Sequence, residues 1–306
     1  MLLKMKNKII KFLAYNKKIS VMCIDSSKLV EEIRKLHDLT PTVTAAVGRV
    51  ATVASMMGYL ETKEITDTIT IQIRGTGPIG SIVAITSLEN EKMVNIRLTV
   101  QNPHVELPLK KNGKIDVGGA VGHSGYLNII KQNQLTNGNY NGLIPLVSGE
   151  IAEDFTEFFA KSEQKPTALA LGVLVNKDGV KRAGGYIINP MPDASDEEIE
   201  KIEQALKQAK PISEMLDEGK TLEEIAKIVT GDENVEILEN DLDVTYKCNC
   251  SKEKIENGIL SLGKEEIEKI IEEDGKLEAE CHFCHTKYNF SEEELKEIAR
   301  KCKIKD

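Results

Sequence analysis

Two cysteine pairs near the end of the chain, Cys248-Asn249-Cys250 and Cys281-His282-Phe283-Cys284, are separated by 30 residues, 251 to 280. Four thiolates can close a tetrahedron around one Zn²⁺, each sulfur about 2.3 Å from the metal. The same thiols can equally be oxidised to two short-range disulfides, so the set could work as a switch. Spacing alone leaves a permanent structural zinc and a redox role both open. The one-residue gap in Cys248-Asn249-Cys250 is unusual for an ordinary zinc knuckle. His282 and His285 flank the second pair, but four thiolates already complete the coordination shell. Cys248, Cys250, Cys281 and Cys284 are therefore the expected metal ligands and, if the set is redox-active, the residues that would be oxidised. Zinc-bound thiols are deprotonated, and thiolate is the form that oxidants attack. Structural zinc contributes about 10–16 kcal/mol of apparent folding free energy in small peptides. A small domain with a net stability of a few kcal/mol should unfold once its ligands are oxidised.

Other residue groups carry weaker chemistry. A thioredoxin-type use of Cys281 and Cys284 requires that pair to open a helix in a βαβ unit. Gly75-Thr76-Gly77-Pro78-Ile79-Gly80 matches the dinucleotide fingerprint in form, yet the β-branched run Ser81 to Ile85 follows where a helix is needed. A turn between two strands is expected there. Ser148-Gly149-Glu150, Asp154, Glu157 and Glu163 suggest paired carboxylates. Ile151, Phe155 and Phe158 or Phe159 occupy the other helical face, so the acids are expected on the solvated side. His37, His104 and His123 are scattered, and no catalytic triad is legible. Cys23 lies in an apolar strand-like run and reads as a small buried hydrophobe. Cys302, near a terminus, reads as incidental.

The elements that must position the cysteines follow from patterning over 306 residues. Hydrophobic residues make up 41% and charged residues 29%, the net charge is -9, and there is no Trp. An acidic surface argues against nucleic acid as the main partner, because phosphate binding needs a basic face. Lys4, Lys6, Lys8 and Lys11 interrupt the apolar run a secretory signal requires, and Met5-Lys6 fits a start. Pro41 to Leu60 is the most apolar 20-mer; with Arg49 and several Thr and Gly residues, it reads as a buried helix and not as a membrane span. A cytoplasmic location is expected. Thiols stay reduced there, so clustered cysteines favour metal or redox chemistry over structural disulfides.

Three stretches differ in character, and together they predict an α+β protein. Residues 1–192 read as a mixed α/β core domain. Thr40 is placed to cap a helix beginning at Pro41. Thr66 to Ile73, Ser81 to Thr86 and Val94 to Val100 read as strands. Ala168 to Val175 and Val180 to Ile188 form a hairpin around Asn176-Lys177-Asp178-Gly179. Residues 193–240 turn acidic and helical, with capping boxes at Ser195/Glu198 and Thr221/Glu224. Pro211 and Gly219 break this run into short helices, marginal on their own, so it reads as a docked but weakly held linker. Residues 241–306 read as a small zinc-binding domain. Val244-Thr245-Tyr246 leads into the first cysteine pair; helices follow over Lys252 to Leu262 and Lys264 to Glu273, and a last one is capped by Ser291. Its thin core would gain from a metal staple.

The chain resembles the 33 kDa chaperonins, redox-regulated bacterial heat-shock chaperones, over nearly its whole length. The resemblance rests on Gly75-Thr76-Gly77-Pro78-Ile79-Gly80, on Pro145 to Asp154, on Ser162-Glu163-Gln164, on Ala170-Leu171-Gly172-Val173 and on Ala183-Gly184-Gly185-Tyr186. Near the end, Cys248-Asn249-Cys250-Ser251, Ser261 to Glu266 and Cys281 to Cys284 also fit. The chain departs at Arg97-Leu98-Thr99-Val100, where the family tends to carry Arg-Gly-Tyr-Val, and at Asn141, where Ser is common before Gly142.

The resemblance implies a non-enzymatic, ATP-independent holdase, inactive while reduced and zinc-bound. On oxidation it implies Cys248–Cys250 and Cys281–Cys284 disulfides with zinc release. Unfolding of the last domain and a loosened linker would then expose a surface for unfolding client proteins, with a dimeric active form. No Gly-x-x-x-x-Gly-Lys-Ser/Thr loop is present, consistent with holding clients without nucleotide. A dithiol–disulfide oxidoreductase and a zinc-ribbon interaction module remain the competing classes.

Overall fold

A helix of small residues organises the first part of the chain. Pro41–Glu61 (α2) runs through Ala45, Ala46, Ala51 and Ala54, all buried. A Cβ at Gly58 would sit 2.2 Å from Thr86 Oγ1, so glycine is what lets helix and sheet approach this closely. This helix has the length and apolarity of a membrane span, but 83% of its most apolar window is buried inside the protein. Pro41 occupies the first turn as expected. The Thr40 side chain does not cap the helix; its hydroxyl donates instead to Val105 O at 2.5 Å.

A computed structural model of the chain describes residues 7–133 and 138–302 and shows an α+β fold in two compact units, Met1–Lys247 and Cys248–Asp306. The Met5-Lys6 start and the lysines at 4 and 6 lie outside the described residues.

In the first unit, strands β1 (Lys8–Ala14), β2 (Ile19–Asp25), β3 (Thr68–Gly75), β4 (Ser81–Asn90), β5 (Met93–Val100), β6 (Gly125–Asn133), β7 (Gly138–Pro145), β8 (Ala168–Asn176), β9 (Gly179–Pro190) and β10 (Glu236–Tyr246) form one sheet. Its order is β7-β6-β3-β4-β5-β10-β1-β2-β9-β8. The alternation read over Thr66–Ile73 appears as β3, whose Ile69, Ile71 and Ile73 are buried. The hairpin around residues 176–179 is β8–β9. Helix α2 contacts β2, β3, β4, β5, β8 and β9, and α4 (Ala152–Lys161) touches β6 and β7 at one edge and β8 at the other. The sheet thus curls round α2, and α4 fills the seam between its edges. With α1 (Ser27–Leu36) and α3 (Val117–Val121), these helices bury the inner face in one large apolar cluster.

The outer face is covered by α5 (Asp196–Gln208), α6 (Ile212–Asp217) and α7 (Leu222–Thr230). Both predicted capping boxes form, at Ser195/Glu198 and at Thr221/Glu224. Residues 193–240 read from sequence as an acidic, weakly held linker. At helical spacing, however, they place Ile202, Ile212, Met215, Leu216, Leu222, Ile225 and Val229 against Phe12, Val21, Cys23, Tyr186 and Ile188. The three-part division into 1–192, 193–240 and 241–306 therefore maps onto two units. Residues 241–247, assigned from sequence to the last domain, fall in the first unit, where 241–246 complete β10 and Leu242 and Val244 are drawn into the inner cluster.

The second unit contains α8 (Lys252–Leu260), α9 (Lys264–Glu273), the hairpin β11 (Lys276–Glu280) and β12 (Lys287–Ser291), and α10 (Glu292–Lys301). Its core is small: Ile259, Ile267, Phe290, Leu295, Ile298 and Ala299.

Candidate metal centre

Each cysteine pair is presented by a constrained backbone. Cys248 and Cys250 precede α8, whose N-cap Ser251 accepts from Lys254 N at 3.3 Å. The Lys254 ammonium reaches back to Asn249 O at 2.6 Å and pins the loop between the two sulfurs. Cys281 and Cys284 occupy the tip of the β11–β12 hairpin. Cys281 N donates to Thr286 O at 3.0 Å, and His285 N donates to Cys281 O at 2.8 Å with His285 at φ 56. These bonds close a tight knuckle that points both sulfurs the same way.

All four sulfurs converge, and their atoms lie within 4.8 Å of one another. Cys248 Sγ is 3.7 Å from Cys281 Sγ, and Cys250 Sγ is 3.3 Å from Cys284 Sγ. A tetrahedral zinc–thiolate site requires sulfur–sulfur separations of about 3.8 Å, from the 2.3 Å bond length. The donor set and its spacing fit such a metal. Cys281 is buried and the others are half-buried. The Tyr288 hydroxyl lies 3.1 Å from Cys250 Sγ, and the Thr286 hydroxyl lies 3.2 Å from Cys284 Sγ. Neither polar neighbour stands out in the cysteine spacing. Tyr288 could have been found from alternation, since it shares the inward face of β12 with Phe290.

Without a metal the thiols differ. Burial, then the crowding of neighbouring thiols, pushes Cys248 up to about 12, and burial also raises Cys281. At Cys284 burial pushes upward too, but the Thr286 hydroxyl and backbone outweigh it and leave the thiol at about 7. His282 and His285 are not in the sulfur cluster; His285 Nδ1 lies 2.6 Å from Glu280 Oε1. The pair Cys281–Cys284 sits in a hairpin turn and opens no helix, which removes the structural basis of a thioredoxin-type site.

The remaining candidates are structural. Residues 76–80 form the turn between β3 and β4, and Gly77 N and Ile79 N, donors that a bound phosphate would need, donate to Val121 O and Ala120 O. The expectation of solvated acids on α4 fails at Asp154, which is fully buried. Its carboxylate accepts from Val147 N, Ser148 N, Gly149 N and Ile151 N and holds Ile151 at φ 73. Four backbone donors compensate for burying that charge. Glu150 is taken up by Arg49, Lys110 and Gly118 N, and Glu163 by Lys131 and Lys165. Glu157 pairs with Lys161 one turn on. His37 meets the Tyr246 hydroxyl at 3.0 Å, His104 meets Asp38, and His123 meets Ser148 O. Cys23 is buried as expected, which pushes its thiol up. Cys302 is not incidental, since it packs on the small core of the second unit.

A family model described as Hsp33 protein matches residues 7–291. The 33 kDa chaperonin of Bacillus subtilis (strain 168) is 44% identical over 288 residues, covering 94% of this chain and 96% of that protein. That of Clostridioides difficile (strain 630) is 43% identical over 296 residues, covering 97% and 99%. The crystal structure of the 33 kDa chaperonin (heat shock protein 33 homolog) from Thermotoga maritima superposes with a TM-score of 0.85 at 35% identity, over 96% of this chain and 98% of that one. Fold, cysteine knuckle and kinship agree: this chain belongs to the Hsp33 family, whose members are named as chaperonins and not as enzymes.

Proposed function

We propose that this chaperone is an ATP-independent holdase switched on by oxidation of Cys248, Cys250, Cys281 and Cys284. The observation that carries the reading is the convergence of all four sulfurs within 4.8 Å. Zn²⁺ bound there would keep the sulfurs as thiolates and staple a core too small to hold the second unit alone. An oxidant such as hydrogen peroxide converts one thiol of a pair to a sulfenic acid, releasing water. The partner thiol attacks that sulfur and displaces a second water, so each disulfide consumes one peroxide and two thiol hydrogens. The pairing implied by family is Cys248–Cys250 and Cys281–Cys284, with the metal released.

Cys248 follows β10 after a single residue, and β10 follows the α5–α7 layer, so loss of order in the second unit removes the tether at the end of that segment. Helices this short hold only through packing. Their departure would uncover Phe12, Val21, Tyr186 and Ile188, an apolar surface suited to unfolding client proteins. A dimeric active form and a cytoplasmic location complete the proposal.

A zinc that never leaves is the competing reading, and the buried position of Cys281 favours it. One experiment separates the two: zinc release and suppression of aggregation of a heat-unfolding enzyme, measured before and after peroxide at mild heat or hypochlorous acid. Release together with gained suppression supports the switch. Retained zinc with unchanged activity sinks it.

A further inference from the structure

The strand in the middle of the sheet is held less well than other interior strands of the sheet. β10 lies between β5 and β1, yet of its eleven residues only Leu242 and Val244 are buried. Ile237 and Leu238 are 48% and 51% exposed. Its parallel pairing with β5 covers only Asp243–Tyr246, and its antiparallel pairing with β1 slips at Ile9/Lys11 and Lys11/Phe12. By contrast, β3–β4 and β2–β9 run in register without a break. The charges on β10 are matched across its rim: Asp243 stands opposite Lys8, Glu239 opposite Lys11, and Asp241 pairs with Lys92.

Its neighbours are firmly built. Ile9 of β1 and Val94 and Ile96 of β5 are fully or almost fully buried. If β10 withdrew, β1 and β5 would face each other across a slot with their backbone N–H and C=O groups unpaired. Such rows demand a partner strand. The slot is already shaped for one, because it holds an extended segment with apolar residues at alternating positions 242 and 244 and acidic residues between and beyond them.

We infer that β10 is a resident strand that a client replaces, and that the β1–β5 slot docks an extended segment of an unfolding chain with alternating apolar residues flanked by acidic ones. Backbone hydrogen bonds supply sequence-tolerant affinity in this mode, and the alternate side chains add selectivity. The inference rests on the proposed oxidative opening and deepens it by naming where and how the client is held.

The test uses the full chain, reduced and peroxide-oxidised, with reduced and carboxymethylated α-lactalbumin as a permanently unfolded client. Hydrogen exchange is followed at the amides of Lys8–Leu13 and Met93–Ile96 that face β10. On oxidation these should exchange at least about tenfold faster, and the client should restore their protection. A synthetic peptide spanning Glu236–Tyr246 should displace labelled client, whereas the same peptide with Leu242→Asp and Val244→Asp should not. Oxidised protein that suppresses aggregation while the β1 and β5 amides stay protected, or whose client is not displaced by the peptide, overturns the slot but leaves the holdase standing. Oxidised protein that suppresses nothing overturns both.

Discussion

The two units of this chain reach order by different means. The first surrounds α2 with a curled sheet and buries Phe155, Phe158 and a long series of Ile, Val and Leu side chains in one cluster. The second has six buried apolar residues in its core among the described residues, and a surface of exposed lysine–glutamate pairs such as Lys264–Glu268 and Lys287–Glu278. Exposed pairs of that kind contribute little. Packing therefore stabilises the first unit, whereas the proposed function makes the second depend on what its four sulfurs bind. A unit that depends on ligation can be dismantled by chemistry at a few atoms, and one that depends on packing cannot. In the proposed switch, placing the four sulfurs in the less densely packed unit would let an oxidant act there selectively.

The contrast can be broken most directly at the sulfurs. Chelating the metal, or replacing Cys281 with Ser, should remove on the order of 10 kcal/mol of apparent stabilisation from the second unit. Amide exchange should show residues 248–302 losing protection while α2 and β3 keep theirs, with new protease cleavage within 193–240. A second unit that stays protected without metal would refute the dependence on ligation.

Phe158→Ala supplies the converse. Its ring is fully buried beside Phe159 with a centroid separation of 5.9 Å, so truncation should cost about 3–5 kcal/mol. Denaturant melting of the first unit should shift while zinc content stays at that of the wild type. A change in zinc content would tie the two units together more closely than proposed.

The α5–α7 layer is intermediate, and Cys23 is a natural reporter for it because the thiol lies buried beneath that layer. Ile225→Ala should weaken the layer by about 2–5 kcal/mol. Alkylation of Cys23 should accelerate before the sheet melts. If Cys23 reacts only on global unfolding, the layer is no separate element.

The smallest effect is expected at the Lys131 ion cluster. Lys131 pairs with Glu61 at 3.0 Å and Glu163 at 2.8 Å. Burial pushes the Glu61 carboxyl up, but the ammonium groups of Lys131 and Lys165 outweigh it and leave it below the ordinary 4.5. A carboxyl lowered on folding stabilises above its unfolded value, and that contribution fades as pH falls through the folded one. Lys131→Met should cost about 1–3 kcal/mol at neutral pH by leaving two half-buried acids to share the more exposed Lys165 alone. The gap from the wild type, read from urea midpoints, should narrow once pH drops below 4.5. A gap that widens in acid would show that Lys131 acts through packing.

Several features were legible before any tertiary contact was known. The cysteine set is local: each pair is only a few residues long, and thiol chemistry admits few partners. The capping boxes at Ser195, Thr221 and Ser291 are also local, since a side chain three residues away supplies the second half. Period-two alternation in β3 and β4 and the apolar run of α2 declared themselves for the same reason.

What the chain's own pattern left undecided depends on distant partners. β10 carries acidic residues at most of its outward positions and reads as a leader into the cysteines; it becomes a central strand only because Ile9 and Val94 offer Leu242 and Val244 a buried place. Asp154 looked like one acid among several on a helix, and only the return of residues 147–151 above it makes it a buried anchor for four backbone donors. Residue type and spacing determined which atoms can do chemistry here. Long-range pairing decided what that chemistry is connected to, because strand order and buried charge are settled by neighbours that no local window contains.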